Sequence, residues 1–154
     1  MALIYSRDEA VQTANQLEKL SMPLDGVVLM GQAVNIIEYC QRSGNIISHA
    51  VSLPTLAAIA WSHDRAERRG RTFDQFMDEA RAYARGEYLS TLYLGNTAPD
   101  AQRRTVATRL QEFTGIPADY FLQHDLEITK NAFRRELIPG QILAVNDARY
   151  AGPF

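Results

Sequence analysis

Apolar residues recur at helical spacing near the start of the chain, where Ala10, Val11, Ala14, Leu17 and Leu20 define one stripe. Ser6, followed three residues later by Glu9, fits a capping box. The pattern therefore predicts a helix running to about Lys19 with that stripe buried. Ser21-Met-Pro-Leu-Asp-Gly26 breaks the periodicity. The continuous apolar run Val27-Val-Leu-Met30 that follows predicts a short, buried parallel strand. Residues 35–41 fit either a helix or a strand, and Gly44-Asn45 marks a loop.

Beyond that loop, helix signals dominate. Pro54 falls where a first helical position is expected, with Leu56, Ala57, Ile59, Ala60 and Trp61 forming an apolar face up to His63. Thr72 and Gln75 make a second capping box, backed by a stripe of Phe73, Phe76, Met77, Ala80 and Tyr83 or Ala84. Gly86 interrupts this helix before Tyr88, Leu89, Leu92 and Tyr93 resume the pattern, and Gly95-Asn96 ends it. Thr97 or Asp100 starts a helix carrying Val106, Leu110 and Phe113, closed at Gly115. Pro117 opens a short helix with Tyr120, Phe121 and Leu122, and Thr129 caps another with Phe133 and Leu137 inward until Pro139-Gly140. Ile142-Leu-Ala-Val145 reads as a short strand. The predicted fold class is mainly α with minor β, with about six helices and one or two short strands in a single domain over 1–154. A lone parallel strand leaves ladder groups unpaired, at on the order of 1–3 kcal/mol for each one buried. Self-association into a homo-oligomer is therefore expected.

Composition leaves this picture in place and narrows the function. The 154 residues are 46% hydrophobic and 22% charged, ordinary values for one globular domain. A net charge of −2 gives no overall attraction to nucleic acid or anionic membrane, and neither is expected as a partner. No apolar stretch approaches the ~20 residues of a membrane span. The start lacks a basic region followed by an apolar block, so no secretory signal is read and a cytoplasmic location is expected. Cys40 is the only cysteine, which excludes an internal disulfide and is read as a small buried apolar residue.

The chemistry-bearing residues are few. His63 and Glu67 stand four apart on an expected helix with Asp64 beside them, a spacing that can set two ligands on one face. No third ligand follows, so a solvated helix end is the favoured reading and no metal site is assigned. His124-Asp125 is read as loop polarity, and His49 has no identifiable partner. Arg65, Arg68, Arg69 and Arg71 form one basic cluster and Arg103, Arg104 and Arg109 a second. Nearby Asp64, Glu67, Asp74, Asp78 and Glu79 balance the first, which reads as a solvated charged face. No Gly-rich phosphate loop occurs, and no cofactor is expected. Trp61, Phe73, Phe76, Tyr83, Tyr88, Tyr93, Phe113, Tyr120, Phe121 and Phe133 are read as core, with a pocket lining as the alternative.

Several segments resemble a known family. Leu53-Pro-Thr-Leu-Ala-Ala-Ile-Ala-Trp61 followed by Ser-His-Asp, Phe76-Met-Asp-Glu-Ala80 with Ala84-Arg-Gly-Glu-Tyr88, and Phe113-Thr-Gly-Ile116 with Tyr120 appear in order. Asp125-Leu-Glu-Ile128, Phe133-Arg-Arg-Glu-Leu137 and Asn146-Asp-Ala-Arg-Tyr150-Ala-Gly152 complete the series. Together they resemble the helical middle of bacterial serine carboxypeptidase-like α/β-hydrolases. The resemblance implies that residues 51–152 form a helical cap-type region, and that residues 1–50 are a remnant helix and strand of the hydrolase core. It also sets Ser6 near the family's nucleophile, yet Ile4-Tyr5-Ser6-Arg7-Asp8 lacks the glycines a nucleophile elbow needs, so Ser6 is read as a helix cap. The family's acid and histidine would follow Gly152, where this chain ends at Phe154. The expected function is that of a truncated or cap-domain fragment without independent catalysis, with no catalytic, cofactor or metal residues. An active serine hydrolase of the parent family and a protein–protein binding module are the alternatives.

Overall fold

Asn45, not Pro54, begins the long helix that organises the structure. In the computed structural model, α1 spans Ile46–Ser62 and places Pro54 in its interior. The Asn45 side chain accepts from the Ser48 amide, and the Ser48 hydroxyl donates to the Asn45 carbonyl at 2.9 Å. An interior proline removes one ladder hydrogen bond and costs ~3 kcal/mol. Burial of Leu53, Leu56, Ala57 and Ala60 on either side offsets that cost, which is why the sequence rule for proline fails here.

The structure describes residues 15–22, 41 and 44–154. The chain divides into two compact units, Met1–Cys40 and Gln41–Phe154. In the first unit residues 15–19 are helical, and Leu20 lies in the turn behind them, exposed rather than in a buried stripe. The Ser6 cap, the strand expected over 27–30, residues 35–40 and Cys40 lie outside the described residues.

The second unit is mainly helical with a small two-stranded antiparallel sheet. After α1 come α2 (Phe73–Tyr83), a π-helix (Ala84–Tyr88) and α3 (Leu89–Leu94), continuous with one another. A 3₁₀ turn (Gly95–Thr97) leads to α4 (Asp100–Thr114), followed by α5 (Ala118–Gln123) and α6 (Lys130–Glu136). Strands β1 (Gln141–Leu143) and β2 (Ala151–Pro153) pair with Ile142 opposite Gly152. The expected capping box is present, with Thr72 Oγ1 accepting from the Gln75 amide and Gln75 Oε1 accepting from the Thr72 amide. Thr129 likewise caps α6 through the Ala132 amide. The strand expected over 142–145 lies one residue earlier and ends sooner, where the paired register stops.

Helices α2 and α4 pack on α1, and α5 packs on α4. Phe76, Val106, Leu110, Phe113 and Phe121 are fully buried between them. Gly115 closes α4 at φ +70°. A Cβ there would lie 2.7 Å from both the Cβ and the carbonyl oxygen of Arg65, so backbone conformation and close approach each require glycine. Two aromatic residues expected in the core are not there: Tyr93 is 82% exposed and Phe73 is half-exposed. Tyr93 follows the π turn, which rotates its face away from the stripe that regular helical spacing would continue.

Candidate functional site

The histidines singled out by sequence are not brought together. Helix α1 ends at Ser62, so His63 caps the helix and shares no helical face with Glu67. His63 Nε2 lies 2.7 Å from the Ala148 carbonyl, and since a carbonyl only accepts, that nitrogen carries the proton. His124 donates from Nδ1 to the Tyr120 carbonyl and stacks on the Tyr120 ring at 4.0 Å. Its neighbour Asp125 turns away to Arg103. Among the described residues no group of three His, Cys, Asp or Glu is arranged to hold a metal ion.

His49, without a visible partner in the sequence, is the most enclosed of the three at 3% exposure. Its Nδ1 donates to the Ile128 carbonyl at 3.2 Å, and Gln41 Nε2 donates to the same oxygen. Gln41 Oε1 in turn accepts from the Lys130 amide. His49 Nε2 makes no hydrogen bond among the described residues, and Glu127 Oε2 stands 3.5 Å away. Across the same turn the Tyr88 hydroxyl donates to the Leu126 carbonyl at 2.8 Å, and burial pushes its phenol well above the ordinary range. These groups tie the 124–129 turn to α1 and the π-helix.

Five arginines of the basic clusters, Arg68, Arg69, Arg71, Arg103 and Arg109, are absorbed by the fold. Arg68, Arg71 and Arg109 lie over the rings of Trp61, Phe76 and Phe113. Their N–H groups reach Asp64, Glu79 and Glu112. Arg69 bridges Glu67 and the buried Glu112, and these carboxylates raise its pKa.

An open concavity lies elsewhere, on the outer side of α1. It is a cleft of about 180 Å³ walled by Ile47, Ala50, Val51 and Pro54 of α1, Ala84 of the π-helix and Leu89 of α3. Arg81 and Arg85 stand at its edge. Helix α1 is apolar around its circumference, a pattern usual for a helix covered on all sides. Yet Val51 is 71% exposed and Ile47 is exposed beside it. Pro54 contributes no N–H, so the Ala50 carbonyl lacks its usual donor four residues on.

The π turn builds the opposite wall. In a regular α-helix residues five apart point to different sides, whereas one wide turn brings Ala84 and Leu89 to one face. Ser90 and Thr91 hydroxyls donate to the Gly86 and Glu87 carbonyls that the wide turn loosens. Gly86 is not required for space, since a Cβ there would meet nothing within 4 Å. Its weak helical preference lowers the cost of leaving α geometry. The Gly86 interruption in the sequence pattern was the available signal for this site, and Arg85 beside it carried none. Arg81 pairs with Asp78 at 3.0 Å, while Arg85 has no ion-pair partner among the described residues.

Chemically the cleft offers no nucleophile, acid or base among the described residues of its walls. It can remove an apolar group from water and present positive charge at its mouth. No helix among the described residues is long and apolar enough to cross a membrane. The chain matches no protein-family model, no curated protein and no solved structure.

Proposed function

We propose that this chain is a helical cap-type module of the serine carboxypeptidase-like kind, and that it binds an apolar group in the α1–π-helix cleft without breaking a bond. The supporting observation is how the reactive side chains among the described residues are spent. Bond cleavage by a serine needs a hydroxyl within reach of a base, itself oriented by a third group. The hydroxyls of Ser48, Ser52, Ser62 and Ser90 instead donate to carbonyls within their own helices or caps. His49, His63 and His124 are each held by a backbone carbonyl. Among the described residues the cleft is open, and its walls are apolar. Self-association belongs to the same proposal and is read by the molar mass of the full chain in solution.

The test uses 4-phenylbutan-1-ol, an apolar group of about eleven non-hydrogen atoms. At about 0.3 kcal/mol per atom its Kd falls in the low-millimolar range. Amide shifts should move for Ile47, Ala50, Val51, Ala84 and Leu89, and Val51→Gln should weaken binding severalfold while leaving the fold intact, because Val51 is exposed. Shifts confined to other regions, or hydrolysis of p-nitrophenyl butyrate lost on Ser52→Ala, would overturn the proposal.

A further inference from the structure

We infer that the cleft selects a small apolar carboxylate, an aryl- or alkyl-carboxylic acid, with Arg85 as the residue that reads the carboxylate. This rests on the apolar-binding reading above and adds the chemical class of the ligand.

Size sets the apolar part. A dry cavity of ~150 Å³ holds a benzene ring, so about 180 Å³ takes one ring or a short alkyl chain. A long lipid tail does not fit. Among the described residues the apolar walls offer no side-chain donor or acceptor, so a polar head group buried among them would lose its water without compensation. The head must therefore lie at the mouth, where the charged side chains among the described residues that line the cleft are Arg81 and Arg85. These stand four apart on one continuous helix and repel each other. Asp78 relieves Arg81 but not Arg85. An anion seated between them relieves that repulsion, and a planar carboxylate matches the two parallel N–H donors of a guanidinium. A cationic ligand would be repelled at the same mouth.

The arrangement differs from the ring-stacked arginines among the described residues. At the α2–α4 wall the guanidinium lies on a ring and already holds a carboxylate, as in Arg71 and Arg109, and Arg68 over Trp61 does the same. At the cleft an apolar concavity and an unspent guanidinium adjoin.

The experiment compares 4-phenylbutyrate with 4-phenylbutan-1-ol on the full chain at low salt, by amide shift titration of wild type, Arg85→Gln and Arg81→Gln. Both variants change exposed side chains, so the fold is retained. The carboxylate should bind roughly five- to tenfold tighter than the alcohol, as expected for one solvent-reaching charge-assisted contact. Arg85→Gln should abolish that preference by weakening carboxylate binding far more than alcohol binding, Arg81→Gln should reduce it less, and added salt should shrink it. Equal affinities in wild type, or a preference that survives Arg85→Gln, would overturn the carboxylate assignment while the apolar reading stands. Failure of both ligands to bind would remove the apolar reading and this inference together.

Discussion

The wall formed by α2 and α4 and the mouth of the α1–π-helix cleft are both edged with arginine, and they differ in what those arginines have left to offer. On the wall Arg71 and Arg109 each lie over a ring and pair with a carboxylate. Arg71 covers Phe76 and reaches Glu79 at 2.5 Å, while Arg109 covers Phe113 and reaches both Glu79 and Glu112. Such residues seal the core edge with their stems and planar heads. At the cleft, Arg85 has neither ring nor carboxylate among the described residues. Density of charge in the sequence thus points to the wall, while unspent charge points to the cleft.

The largest effect that tests this comparison comes from Phe76→Ala. Phe76 is fully buried, packs against the rings of Trp61 and Phe113, and carries Arg71 on its face. Its truncation should cost about 3–5 kcal/mol, read as a shifted denaturant midpoint. A loss below about 1 kcal/mol would mean that the wall is not a packing unit. Glu112→Gln asks whether charge alone makes a site. It removes the carboxylate shared by Arg69 and Arg109 and should cost about 1 kcal/mol, since both guanidiniums reach solvent. Freed of that carboxylate but still paired with Glu67 and Glu79, these arginines should gain no affinity for 4-phenylbutyrate. A second binding site appearing on the wall in this variant would break the comparison.

Much of the fold was legible because local signals and packing agreed. Thr72 with Gln75, Thr129, and Gly115 each predicted a helix boundary that the structure places within a residue, since capping is a local hydrogen-bonding matter. Pro54 misled because burial along α1 outweighs the local penalty of an interior proline. His63 and Glu67 seemed to share a face only while α1 was taken to continue beyond Ser62. The cleft was not legible, because Ile47 and Val51 meet Ala84 and Leu89 only when α1 packs beside a π turn. A one-residue widening of a helix leaves no periodic trace in so short a segment. Gly86 marked the place without indicating its geometry. His49 was unreadable for a related reason: its partners, Glu127 and the Ile128 carbonyl, lie across the fold.

The smallest effect concerns a third kind of arginine, paired yet fully solvated. Ahead of β2, Arg149 donates from Nε and Nη2 to Asp147 at 2.9 and 2.6 Å, and its backbone amide donates to the same carboxylate at 3.1 Å. The guanidinium bonds first, and the backbone amide second, hold the Asp147 carboxyl at about 2 against an ordinary 3.8. A carboxyl depressed in the folded state adds stability above its unfolded pKa and loses it as pH falls through the folded value. The pairing should therefore fade between about pH 4 and pH 2, with little change in global stability because both groups face solvent. In Arg149→Gln the side-chain bonds go and the backbone bond stays, so the carboxyl should titrate nearer 3.8 without quite reaching it. Carboxyl carbon shifts followed from pH 6 to pH 1.5 would show this directly. A carboxyl still titrating at about 2 in the variant would assign the depression to the turn backbone, and would mean that even a fully satisfied guanidinium contributes little when water has equal access to it.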